Sequence, residues 1–111
     1  MKLLTSDAGN EVVLIEIQGE LDAHTARKFQ QTLNDLLAQG RSRLVLDASQ
    51  MSFVSSAGLR AIMSAQREAG QHGGQLRICG LNAQARRVFE IAGFEQLLHL
   101  SDTRRDAMEG W

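Results

Sequence analysis

The sequence predicts an α/β protein: one domain over residues 1–111, with a mixed sheet of about five strands, a parallel middle and about four helices in the order ββαβαβαβα. Three observations carry this expectation. The short apolar runs Leu44-Val45-Leu46 and Leu76-Arg77-Ile78-Cys79 have the length and make-up of buried strands. Between and around them lie apolar stripes at helical spacing. Strand–helix–strand alternation then implies parallel neighbours joined by right-handed crossovers.

Taken in order, Leu3-Leu4 begins a first strand, and Asp7-Ala8-Gly9-Asn10 is a hairpin turn. From Glu11 to Gln18, Val13, Ile15 and Ile17 alternate with Glu16 and Gln18, as in a strand with one wet face. Gly19-Glu20-Leu21-Asp22 breaks that strand, and Asp22 can cap the helix that follows. In this helix Ala26, Phe29, Leu33, Leu36 and Leu37 form the inner stripe, and Gly40 closes it. The strand Leu44–Leu46 follows and ends at Asp47. After a brief loop, Ser55-Ser56-Ala57-Gly58 leads into a second helix with Leu59, Ile62 and Met63 inside. Gly70 to Gly74 is a helix stop, since it lacks the strand-then-GxGxxG order of a nucleotide site. Leu76–Cys79 is the next strand. Asn82 caps a third helix with Ala85, Val88, Phe89, Ile91 and Ala92 as its stripe, Gly93 ends it, and Phe94 supplies the accompanying apolar contact. Leu97–Leu100 is a short last strand, and Ser101-Asp102 opens a terminal helix.

Composition excludes several classes of function. A formal net charge of -1 leaves no electrostatic footprint for nucleic acid or an anionic membrane. The arginine pairs Arg41/Arg43, Arg86-Arg87 and Arg104-Arg105 read as solvated faces. No apolar run approaches membrane-spanning length, and the N-terminus turns polar too soon for a signal peptide. The single cysteine, Cys79, cannot form an internal disulfide and suits a reducing cytoplasm; mid-strand, it is expected to be buried and inert. One Cys and the scattered His24, His72 and His99 give no zinc spacing, and without GxSxG there is no nucleophile elbow for a triad.

The chemistry that remains centres on Ser55 and Ser56. A serine just before a helix accepts a hydrogen bond from a free N–H of the first turn. The same N–H groups and the helix dipole also favour a phosphate. There are two serines where one cap would serve, and Ala57-Gly58 is small enough to let a partner approach the backbone.

These residues resemble a family. Phe53-Val54-Ser55-Ser56-Ala57-Gly58-Leu59, preceded by Leu46-Asp47-Ala48-Ser49, is similar to the signature of the STAS domain and, more narrowly, of the stand-alone bacterial anti-sigma factor antagonists. Gly19-Glu20-Leu21-Asp22, Val88-Phe89 and Gly93-Phe94 extend the likeness over nearly the whole chain. The resemblance implies that Ser56 is the serine phosphorylated by a partner kinase. Ser55 is held in reserve, since the family often has Asp there; at Ala57 it has in some members a second hydroxyl.

It further implies that the unphosphorylated form binds a serine kinase/anti-sigma factor of the GHKL type and that phosphorylation releases it. A PP2C-type phosphatase then resets the switch. ATP would be held by the kinase, so the chain needs no cofactor or metal of its own and is not an enzyme. The expected partner-binding residues are Asp22, Asp47, Ser55, Ser56, Ala57, Gly58, Arg60 and Ser64. With a parallel middle, Asp22, Asp47, Ser55 and Ser56 are expected to gather at the C-terminal edge of the sheet. For Asp22 a helix cap is the other role, and for Asp47 a loop-ordering hydrogen bond.

Two rivals are distinguishable. A receiver-like protein would use Asp47 as acyl-phosphate acceptor with Asp22 helping to hold Mg²⁺, but it would want a lysine at the end of a later strand, and the only lysines are Lys2 and Lys28. A constitutive STAS adaptor, such as those beside transporters, would keep the fold and lack the switch.

Overall fold

A computed structural model describes all 111 residues. The strands are β1 (Lys2–Asp7), β2 (Val12–Leu21), β3 (Arg43–Val54), β4 (Gln75–Cys79) and β5 (His99–Ser101). The helices are α1 (Ala26–Ala38), α2 (Ser56–Gln71), α3 (Ala83–Ile91) and α4 (Arg104–Ala107), with a 3₁₀ turn at Phe94–Gln96. The order ββαβαβαβα is that expected from the sequence. β1 and β2 are antiparallel; every later pair is parallel.

Spatial order follows chain order, β1-β2-β3-β4-β5, so each crossover steps the same way. Right-handed crossovers in one direction put their helices on one face. That face holds the main core, in which Ile15, Ile17, Leu44, Leu46 and Ile78 meet Phe29 and Leu33 of α1, Ile62 and Ala65 of α2, and Phe89 of α3. The other face carries a small cluster of Val12, Leu14, Val45, Cys79 and Ala107, with Met108 and Trp111 against it. The strand order never reverses, so the sheet has no switch-point crevice of the kind the C-terminal-edge expectation invoked.

Several boundaries differ from the sequence reading, and each has a physical reason. Gly19-Glu20-Leu21 does not break β2. The strand runs on to Leu21, whose side chain is fully buried, because β3 is long enough to pair with it. Likewise Asp47 does not end β3, and the expected loop after it is strand as far as Val54. β3 spends an extra residue twice along this stretch: Glu16 pairs with Asp47 but Gln18 with Gln50, and Gly19 pairs with Met51 but Glu20 with Phe53. Such bulges break the alternation of a strand, and beyond Ala48 the buried positions recur at Met51 and Val54.

In α3 only Ala85 and Phe89 are buried. Val88, Ile91 and Ala92, assigned to the inner stripe, lie outside, because the helix touches the sheet along a narrow line. Gly93 does end the helix, at φ 76°, and Phe94 meets Phe89 edge-on at 6.4 Å. β5 is shorter than expected, Leu97 being exposed, and α4 is capped by Thr103 rather than by Ser101 or Asp102. No helix is long and apolar enough to cross a membrane.

Candidate functional site

The site is built where β2 and β3 end together. Leu21 pairs with Val54, and the Ser55 N–H donates to the Leu21 carbonyl at 2.9 Å. Asp22 and Ser55 therefore leave the sheet side by side.

The two serines divide their tasks. Ser55, in extended conformation, is the N-cap of α2, and its Oγ accepts the Gly58 N–H at 3.1 Å. Ser56 is the first helical residue and is exposed, and no hydrogen bond within the chain engages its hydroxyl. Ser56 stands where added negative charge faces the free N–H groups of the first turn. Ala57 is partly exposed beside it. Arg60 is exposed one turn along the same helix face, and Ser64, a turn further, is partly buried and donates weakly to Glu68 at 3.5 Å.

Gly58 does not have the role expected of it. It is buried, and a Cβ there would stand 2.4 Å from the Leu21 carbonyl oxygen and 3.0 Å from Leu21 and Val54 side-chain carbons. Its smallness admits the chain's own β2 rather than a partner.

Asp22 is held by a reciprocal turn with Thr25. Asp22 Oδ1 accepts the N–H groups of His24 (2.9 Å) and Thr25 (3.1 Å), while Thr25 Oγ1 accepts the Asp22 N–H at 2.9 Å. The residue caps the turn leading into α1, not the first turn of the helix as bounded here, whose own N-cap position is Thr25. Partial removal from water pushes the Asp22 carboxyl up, but the N–H groups of Thr25 and His24, the Thr25 hydroxyl and nearby His24 outweigh it and hold the group below its ordinary value. Thr25 was missed in the sequence reading, although the spacing Asp22-x-x-Thr25 is that of a reciprocal cap.

Asp47 is not with the others. It lies seven residues before the end of β3, roughly 20 Å along an extended strand, and it points to the face that carries α4. Only 5% of it is exposed. Its Oδ2 accepts from Arg104 Nε at 2.5 Å and its Oδ1 from the Ser49 N–H at 2.9 Å; Arg104 also pairs with Glu16. Burial pushes the carboxyl up, yet the bonds from Ser49 and Arg104 win and hold it low. The local bond expected of Asp47 is present in its contact with Ser49. As a partner contact Asp47 offers little surface, since its carboxylate is buried and engaged by Ser49 and Arg104. The receiver-like alternative would need Asp47 Oδ2 as its acceptor, and in this structure Arg104 engages that oxygen. Nothing in the sequence linked Asp47 to Arg104, which lies 57 positions away.

Cys79 is buried on the same face, and its thiol is pushed up to about 11 by burial and by Asp47, so it is unreactive near neutrality.

The STAS domain profile matches residues 5–107. The chain belongs to the STAS domain family. Among curated relatives, BtrV of Bordetella bronchiseptica, whose name describes a putative anti-sigma factor antagonist, is 31% identical over 104 residues, which are 94% of this chain and 90% of that protein. Among solved structures, a Thermotoga maritima protein described in the same words superposes with a TM-score of 0.90 at 21% identity, covering 96% of this chain and 92% of its own. The Bacillus cell-fate determinant SpoIIAA, in its phosphorylated form, gives 0.75 at 21% identity and covers 97% of both chains. At these identities the two structures speak for the fold.

Proposed function

We propose that this STAS domain is an anti-sigma factor antagonist that works as a phosphorylation-controlled, non-enzymatic protein-binding switch in the cytoplasm. Unphosphorylated, it binds a serine kinase/anti-sigma factor of the GHKL type. The kinase holds ATP and transfers its γ-phosphoryl group to Ser56 Oγ; the hydroxyl proton leaves to the kinase and ADP remains as product. A PP2C-type phosphatase hydrolyses the phosphoserine and restores the binding form.

One observation carries the reading: of two adjacent serines, the cap is Ser55, and Ser56 is left exposed with a free hydroxyl at the mouth of α2. Relatives named as anti-sigma factor antagonists, and a protein of the same fold solved in a phosphorylated form, support it. The partner surface is read as Asp22, Ser55, Ser56, Ala57, Arg60 and Ser64.

Phosphorylation adds roughly -1.5 to -2 charges at Ser56. The helix N-terminus welcomes that charge within the chain, so its cost falls on the interface, where a surface matched to a neutral hydroxyl and to Asp22 must now accommodate a dianion. A loss of ~3 kcal/mol weakens binding more than a hundredfold, enough for a switch.

The test is incubation with Mg·ATP and extracts of the source cells, followed by phosphopeptide mapping. Hydroxylamine-stable phosphate on Ser56, absent from Ser56→Ala, is the expected result. Phosphate on Ser55 would move the assignment to the cap residue, and absence of phosphate would favour the constitutive adaptor.

A further inference from the structure

Next to the serine pair, the end of β3 and the start of α3 enclose a groove of about 160 Å³. Val54, Phe53 and Ser52 line it from the strand, and Ala85 and Val88 from the helix. Asn82 ties the two together, donating from Nδ2 to the Met51 carbonyl at 3.4 Å. Phe53 is 53% exposed and Val88 37%, while Ile91, one turn on from Val88, is 76% exposed. Isolated exposed apolar residues need no explanation, but Phe53 and Val88 are exposed together on the lining of one shaped groove.

We infer that the kinase which phosphorylates Ser56 also seats an apolar side chain in this groove, with Phe53 and Val88 as its walls. The inference rests on the Ser56 reading above and extends it. A kinase that reaches Ser56 Oγ must cover the surface around it. A stable interface removes about 800 Å² from each partner, a disc of roughly 16 Å radius. Phe53 stands three positions before Ser56 on the same outgoing chain, inside that disc. The groove's size also fits, since a cavity of roughly 150 Å³ takes a benzene-sized group. Its surroundings have the make-up of an interface: an apolar centre ringed by polar groups, here Glu20, which pairs with Phe53 across the ladder, with Ser52, Gln84 and Asn82. Aromatic side chains, Phe among them, are enriched in such interfaces.

The experiment uses the kinase purified by its transfer of labelled phosphate from ATP to the wild-type chain and not to Ser56→Ala. Its KM is then measured for Phe53→Ser, Val88→Ser and, as a control on β1, Leu4→Ser, each shown to be folded by its melting curve. The expected result is a rise in KM of at least ~5-fold for both groove variants, with kcat nearly unchanged and Leu4→Ser near wild type. A smaller rise in either groove variant, or an equal rise in Leu4→Ser, overturns the groove while leaving Ser56 as acceptor. Failure to find any kinase acting on Ser56 overturns both together.

Discussion

The carbonyl oxygen of Leu21 lies 2.4 Å from where a Cβ on Gly58 would stand. The first turn of α2 is therefore seated directly on the end of β2, and the two segments that carry Asp22 and the serines share one rigid support.

Gly58→Ala must force them apart. Overpacking against backbone costs about 1–3 kcal/mol, against a helix-propensity gain of about 1 kcal/mol. Gly70, also within α2, has open space around its missing Cβ and helical φ, so Gly70→Ala is expected to stabilise by about 0.5–1 kcal/mol. Urea denaturation of the pair checks both signs; stabilisation by Gly58→Ala would contradict the close seating.

Ser55 and Ser56 separate in the same way. Ser55→Ala removes the acceptor of the Gly58 N–H and is expected to cost about 1 kcal/mol, a drop of a few degrees in Tm. Ser56→Ala removes no bond and should fall within about 0.5 kcal/mol of wild type, while abolishing phosphorylation. Thermal melts of the two variants side by side decide the matter.

Arg104 is the counter-ion that makes the enclosed Asp47 tolerable. Arg104→Ala leaves that carboxylate with the Ser49 N–H alone, and a loss of about 1–3 kcal/mol is expected, reduced from the fully buried case because the arginine is half-exposed. Both Asp47 and Asp22 titrate below their ordinary range in the folded chain. Their stabilising contribution is therefore fully present above the unfolded carboxyl pKa, about 3.9, and disappears as pH falls through the lower folded values. Asp47→Asn should flatten the loss of stability on acidification below about pH 4; an unchanged acid limb would show that the pair does not govern it.

Phosphorylation itself should leave the fold intact. The phosphate at the first residue of α2 is favoured by the helix dipole, and Arg60 lies one turn along the same face. The melting temperature of the phosphorylated chain is expected to equal or exceed that of the unmodified one. A fall of more than about 4 °C, corresponding to about 1 kcal/mol or more, would make the switch a refolding event.

Much of this was legible in the sequence because local patterns and global fold agree. The alternation of Val13, Ile15 and Ile17, the stripe of Phe29, Leu33 and Leu37, and Asn82 as a cap all depend on neighbours within a few residues. The sequence marks Ser55 and Ser56 as a pair, and only the fold separates the cap from the free hydroxyl. What stayed hidden is non-local. The far half of β3 is invisible in the sequence because two bulges replace the period of two, and Asp47 reads as the end of a strand it sits within. Gly58 read as room for a partner because nothing local announces the Leu21 carbonyl. Arg104 closes over Asp47 from the far end of the chain, and Val88 and Ile91 look like core until α3 is seen to touch the sheet through Ala85 and Phe89 alone.

Phosphoryl charge at Ser56 is what releases the partner, and a binding titration reads that release without any other step. The purified kinase is titrated by calorimetry, without hydrolysable ATP, against the unmodified chain, Ser56→Ala and the Ser56-phosphorylated chain. Similar Kd values are expected for the first two, and a Kd more than about a hundredfold weaker for the third. Equal affinity of the phosphorylated and unmodified chains would contradict it.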